Sequence, residues 1–145
     1  MKNRYFYLIG LLLLIPGCGK KSVSKELVEL VCTNKNDIQE MKVNVKYKNN
    51  TIDQMILSYD YNLSSYDDSD IKSFEKQDFC KLIETTKDIF NGTIKECTQS
   101  IKDKRLLVNA SIDVTKLSND DLTKNSRIED VKNSFENAGS KCEIK

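Results

Sequence analysis

The chain contains no histidine and no tryptophan, a single proline and five glycines. Without histidine it lacks the commonest general base and both the Ser-His and Cys-His nucleophile arrangements. Five scattered glycines leave no glycine-rich loop to cradle phosphate. The two-residue cysteine spacing on which thiol oxidoreductases rely is missing as well. Acid pairs and a Ser-Lys dyad remain, but a serine beside a lysine carries no weight in a chain rich in both. The expectation is a protein that is not an enzyme and has no cofactor. Charge of one sign is also lacking: Lys and Arg number 23 against 22 Asp and Glu. Broad electrostatic binding of nucleic acid therefore has no driving force.

A long apolar run occurs only at the N-terminus. Lys2 and Arg4 precede Tyr5 to Ile15, a stretch interrupted only by Gly10, and Pro16-Gly17-Cys18 follows. The run has the length of a secretory signal core and falls short of the ~20 residues that cross a bilayer. Ile15 three before a cysteine, and Gly17 directly before it, resemble the lipobox of bacterial lipoproteins; Pro16 departs from the usual residue between them. The expectation is a signal peptide over 1–17, diacylglycerol on Cys18 and cleavage before it. Two acyl chains hold a protein stably on a membrane. Residues 18–26 (CGKKSVSKE) read as a short polar tether, and 27–145 as one domain. The protein is expected on the extracytoplasmic face of the cell membrane. In a two-membrane host, Gly19 lacks the retaining Asp and points to the outer membrane.

Once Cys18 carries lipid, Cys32, Cys80, Cys97 and Cys142 remain. An even number, widely spaced, in an exported domain reads as two disulfides. Zinc is disfavoured by the spacing and by the missing histidine. Three pairings are open, and the order of elements favours Cys80 with Cys97 and Cys32 with Cys142.

That order comes from hydrophobic periodicity. Leu27 to Asn34 is apolar enough for a strand. From Glu40 to Lys48, Met41, Val43, Val45 and Tyr47 alternate with polar residues, the period of a half-buried strand. Asn49-Asn50 turns the chain, and Thr51 to Tyr61 returns with Met55, Leu57, Tyr59 and Tyr61 on one face. Asn62 to Asp70 reads as a polar loop. Phe79, Leu82, Ile83, Thr86 and Phe90 then fall at helical spacing within a helix over 74–90, stopped by Asn91-Gly92. Thr93 to Ile101 and Arg105 to Thr115 form a second hairpin, with Leu106, Val108, Ala110, Ile112 and Val114 inward. Ser126 and Glu129 have the spacing of a capping box that opens a second helix. Ile128, Val131 and Phe135 form its inner stripe, and Gly139 ends it. Cys142 and Ile144 sit in a short last strand. The expected fold is α+β: an antiparallel sheet of five or six strands with two helices on one face, in the order β-β-β-α-β-β-α-β.

This order resembles the YehR-like family of small bacterial lipoproteins, which are of uncharacterised function. The resemblance rests on the lipobox, the lysine-rich tether, the hairpins VKYKNNTIDQMILSY and IKDKRLLVNASIDVTKL, and the closing VKNSFENAGSKCEIK. It covers nearly all the chain after Cys18 and implies fold and location, but no active site. The four domain cysteines depart from the family's simplest pattern and imply an oxidised branch.

The richest polar stretch is Tyr59-Asp60-Tyr61 with Tyr66-Asp67-Asp68-Ser69-Asp70. Asp67, Asp68 and Asp70 could hold Ca²⁺ on a loop, with the tyrosines as a contact surface. The glycine and distal glutamate of a calcium-hand loop are missing, and the favoured reading is that these acids solvate a loop and favour the first turn of the helix that follows. Two function classes stand. One is a lipid-anchored, non-enzymatic binding or accessory module contacting an envelope protein or polymer. The alternative is a solute-capturing receptor serving a transporter, which generally needs two lobes around a cleft.

Overall fold

The computed structural model describes residues 27–86, 93–117 and 122–145. The expected signal peptide, Cys18, the expected tether, residues 87–90 of the expected first helix and its Asn91-Gly92 stop lie outside these residues. The fold is α+β, with six antiparallel strands and three α-helices among the described residues. β1 spans Val28–Lys35, β2 Gln39–Lys48 and β3 Thr51–Asn62; α1 is Asp68–Glu75 and α2 Phe79–Thr86. β4 (Ile94–Lys102) and β5 (Arg105–Ile112) form the second hairpin, and α3 (Ile128–Asn137) leads into β6 (Lys141–Ile144). Across the sheet the order is β4-β5-β3-β2-β1-β6.

Two hairpin turns follow from local backbone chemistry. Asn49 and Asn50 sit at φ 54° and 61°, a left-handed pair whose twist matches that of the flanking strands. Asp103 and Lys104, at 49° and 55°, do the same between β4 and β5. Asparagine and aspartate tolerate this region, whereas lysine meets the ordinary Cβ penalty there.

The alternating residues expected to face inward do so. Val43, Val45, Tyr47, Met55, Leu57, Leu106, Val108, Ala110 and Ile112 are buried, with Leu30 and Cys32 of β1 beside them. Val131 of α3 is fully buried, and Ile128 and Phe135 pack against the same cluster. Ile83 of α2 reaches this core too, so α2 and α3 lie on one face of the sheet. The other face presents residues such as Lys42, Ser58, Asn109 and Thr98 along one cross-strand row.

Four expectations are corrected in detail. Across the described part of the helix expected over 74–90, the end of α1 and a separate α2 stand instead of one helix, because the Asp78 carboxylate accepts the Lys81 amide at 2.9 Å and starts a new helix. The polar stretch up to Asp70 is not all loop: α1 begins at Asp68, capped by Asp67. The strand expected from Arg105 to Thr115 stops at Ile112, where Asp113 caps a 3-10 turn over Val114–Lys116. The Ser126/Glu129 capping box does not form. Ser126 Oγ turns back to accept the Thr123 amide at 2.8 Å, and the helix is capped at Arg127 without a side-chain bond. Gly139, at φ +88°, does end α3.

Candidate functional site

The Cys32–Cys142 cystine follows from the sheet register, and the second cystine starts from the far end of the same row. Cross-strand partners run Cys97–Ala110–Leu57–Val43–Cys32–Cys142, one row spanning the whole sheet on its helix-covered face. Cys32 and Cys142 are direct antiparallel neighbours, with Cα atoms 4.0 Å apart and sulfurs at 2.03 Å. At the other end of the row, Cys97 bonds Cys80 of α2 at 2.05 Å, with Cα atoms 5.8 Å apart. This is the pairing the order of elements favours. One bridge joins the first strand to the last; the other ties the helical layer to the opposite edge.

Near the Cys80–Cys97 edge, the tyrosines singled out in the sequence come together with two phenylalanines. Tyr59 and Tyr61, two residues apart on β3, share the inward face, with ring centroids 6.2 Å apart. Tyr66 enters from the loop before α1, and Phe74 and Phe79 from the ends of α1 and α2. Tyr66 and Phe74 meet edge to face at 5.2 Å and 84°, a geometry favoured by the ring quadrupoles. Phe74 and Phe79 stack at 6.1 Å. Beneath them lie Leu63, Leu106 and Val108, a second small core.

The hydroxyls are paired as well as the rings. Tyr61 and Tyr66 share a hydrogen bond of 3.0 Å, and Tyr59 donates to Gln39 Oε1 at 2.6 Å. The bond to Tyr66 and partial desolvation raise the Tyr61 pKa; burial raises that of Tyr59. Both phenols are thus held in their neutral, hydrogen-bonding form.

Two depressions touch Phe74. One, of about 240 Å³, is lined by Tyr66, Asp70, Ser73, Phe74 and Gln77. The other, of about 210 Å³, is lined by Phe74, Glu75, Gln99, Ser100, Ile101 and Leu106. Gln99 is itself fixed: it accepts the Phe79 amide at 2.8 Å and donates to the Gln77 carbonyl at 2.7 Å.

The acids weighed as a calcium loop serve the start of α1, the reading the sequence favoured. Asp67 accepts the amides of Ser69 and Asp70 at 2.8 and 2.9 Å, and these bonds hold its carboxyl below the usual carboxylate range. Asp68 lies 3.8 Å from Lys104 Nζ, and Asp70 borders the larger depression. Among the described residues no three carboxylate, thiol or imidazole groups cluster to hold a metal ion. No helix among them is long and apolar enough to cross a membrane.

No protein-family model, curated protein or solved structure matches the chain.

The sequence pointed to the tyrosines and to Asp70, but not to Phe74, Gln77 or Gln99. Phe74 escaped because α1 offers too few apolar positions to show a helical period. Gln99 came from a strand whose alternation is weak. On the opposite face, Arg105 grips Asp60 in a two-pronged pair, Nε to Oδ1 at 3.0 Å and Nη2 to Oδ2 at 2.7 Å. The alternation of β3 explains why Asp60 leaves the cluster that its tyrosine neighbours join.

Proposed function

We propose that this chain is an exported lipoprotein, anchored through lipid on Cys18, whose domain acts as a non-enzymatic binding or accessory module at the cell envelope. The observation that carries the reading is the pair of cystines, one at each end of a single row across the sheet. Structural disulfides form and persist outside the reducing cytosol. An oxidised domain behind a signal core and a lipobox agrees with an extracytoplasmic address. The resemblance to the YehR-like lipoproteins points the same way, through the order of elements and the lysine-rich tether.

The aromatic depressions beside α1 support binding rather than turnover. They offer aromatic side chains, amides and single carboxylates, with the Tyr61–Tyr66 hydroxyl pair beside them. The test is replacement of Cys18 by alanine in a bacterial host fed a clickable fatty acid. The expected result is loss of labelling, with the protein released or left as uncleaved precursor. Undiminished labelling removes the anchor from the reading. Mild crosslinking of the anchored protein then identifies its neighbour: an envelope component supports the module, and a permease supports the receptor alternative.

A further inference from the structure

We propose that the depression lined by Tyr66, Phe74 and Asp70 binds the ammonium group of a small organic cation. The inference deepens the reading of the domain as a binding module and rests on it. Three observations carry it. First, Tyr66 and Phe74, edge to face at 5.2 Å and 84°, both line the larger depression, so a ligand there meets two aromatic side chains. Aromatic faces attract cations, most strongly where water is displaced. Second, each depression touching Phe74 has one carboxylate in its lining, Asp70 in the larger and Glu75 in the smaller. Neither lining contains a lysine or arginine among the described residues, so the local charge favours a cation. Third, the walls are held in place. Tyr66 is fixed by its hydroxyl bond to Tyr61, and Phe74 is stacked on Phe79. The α2 layer is tied to β4 by Cys80–Cys97, and Gln99 bonds across to Gln77 and Phe79. A preformed depression loses little freedom on binding.

The larger depression, at about 240 Å³, suits a compact head such as a primary or quaternary ammonium rather than a long chain. Ser73 and Gln77 on its rim offer hydrogen bonds to a neighbouring hydroxyl or amide.

The probe is choline, titrated calorimetrically at constant ionic strength into the full-length protein extracted from membranes in a polyoxyethylene detergent. The control is its uncharged isostere, in which a quaternary carbon replaces the nitrogen. Choline should bind about tenfold or more tightly relative to the isostere, the ratio set by a cation over aromatic faces. Asp70→Asn, which keeps size and fold, should weaken choline about fivefold. Phe74→Ala should abolish the difference between choline and isostere, while Phe74→Trp retains it. Equal binding of both probes, absence of choline binding, or binding of N-acetylglucosamine oligomers alone overturns the proposal. If choline fails while Cys18 labels normally, only this inference falls; loss of the anchor with choline still bound leaves it standing.

Discussion

The two bridges close loops of very different length, and that difference sets their relative worth. Cys32 and Cys142 are 110 residues apart in sequence, whereas Cys80 and Cys97 are 17 apart. In the chain-entropy model the longer bridge restricts the unfolded chain by about 4.8 kcal/mol and the shorter by about 3 kcal/mol. The shorter loop lies within the longer, but bridging it shortens the outer loop only slightly, so the two contributions should nearly add. Cys32 is also 1 % exposed, and truncating its side chain leaves a small cavity in the core. Both effects favour the same ranking. Paired substitutions avoid stranding a free thiol: Cys32→Ala with Cys142→Ala, and Cys80→Ala with Cys97→Ala. Urea unfolding follows each against the parent, with slopes of about 1–3 kcal/mol/M for small proteins. The first pair should lower the midpoint roughly one and a half times as far as the second. Combining both pairs should leave little of the roughly 5–15 kcal/mol available to a small domain. The reasoning is refuted if removing Cys80–Cys97 costs as much as removing Cys32–Cys142. Peptide maps of unreduced protein showing any other pairing, or four alkylatable thiols, refute it more directly.

Other perturbations test the packing. The Tyr47 hydroxyl is buried without a hydrogen-bond partner among the described residues, and burial with the nearby Asp130 charge raises its pKa strongly. Tyr47→Phe should therefore be neutral or raise stability by up to about 1 kcal/mol, read from the thermal midpoint. Lys104 occupies a left-handed position, so Lys104→Gly should stabilise the β4–β5 turn by about 1 kcal/mol in urea. Asp67, Asp113 and Asp130 all have lowered carboxyl pKa values from hydrogen bonds made in the folded state. Their stabilisation is complete above the unfolded-state value near 4 and is lost as pH falls through the folded values; an acid titration of the unfolding midpoint checks this. Asp67→Ala should flatten that titration and fray α1, whereas Asp67→Asn, which keeps the cap acceptor, should spare the helix.

Much of the sheet was legible because it is covered on one face. The alternations 41–47 and 106–112 state which side is buried, and the turn pairs at Asn49 and Asp103 fix where each hairpin reverses. The helices were harder for local reasons. Residues 68–75 present only Ile71 and Phe74 to the small core, so no period emerges, and the sign of a helix was Asp67 with amides two and three residues on. Asp78 likewise interrupts what the spacing of Phe79, Leu82 and Phe90 suggested was one helix extending back to Phe74. At Ser126 the side chain had two possible amide partners, and the turn at Thr123 won over the helix. The aromatic cluster was half legible. Tyr59, Tyr61 and Tyr66 stand out in sequence, but their meeting with Phe74 depends on where α1 is laid down.

The row Cys97–Ala110–Leu57–Val43–Cys32–Cys142 relates these parts. At the β6 edge the bridge stays within the sheet, and α3 reaches it through the Gly139 turn. At the β4 edge the bridge leaves the sheet for α2, whose Phe79 backs Phe74. An edge strand pairs on one side only, and β4 lies at the sheet's limit with most of its residues exposed. A wall of a binding depression resting on such a strand needs a further tie, and Cys80–Cys97 gives it one. Reduction should therefore act unequally on the molecule. Loss of Cys32–Cys142 weakens the whole domain, whereas loss of Cys80–Cys97 loosens α2 and the Phe79 support before the central strands yield. Hydrogen exchange separates the two: the Cys80→Ala, Cys97→Ala protein should lose protection at 79–86 and 94–101 while 43–47 and 106–110 keep theirs. Uniform loss across the sheet would show that this bridge secures the whole fold rather than the depression.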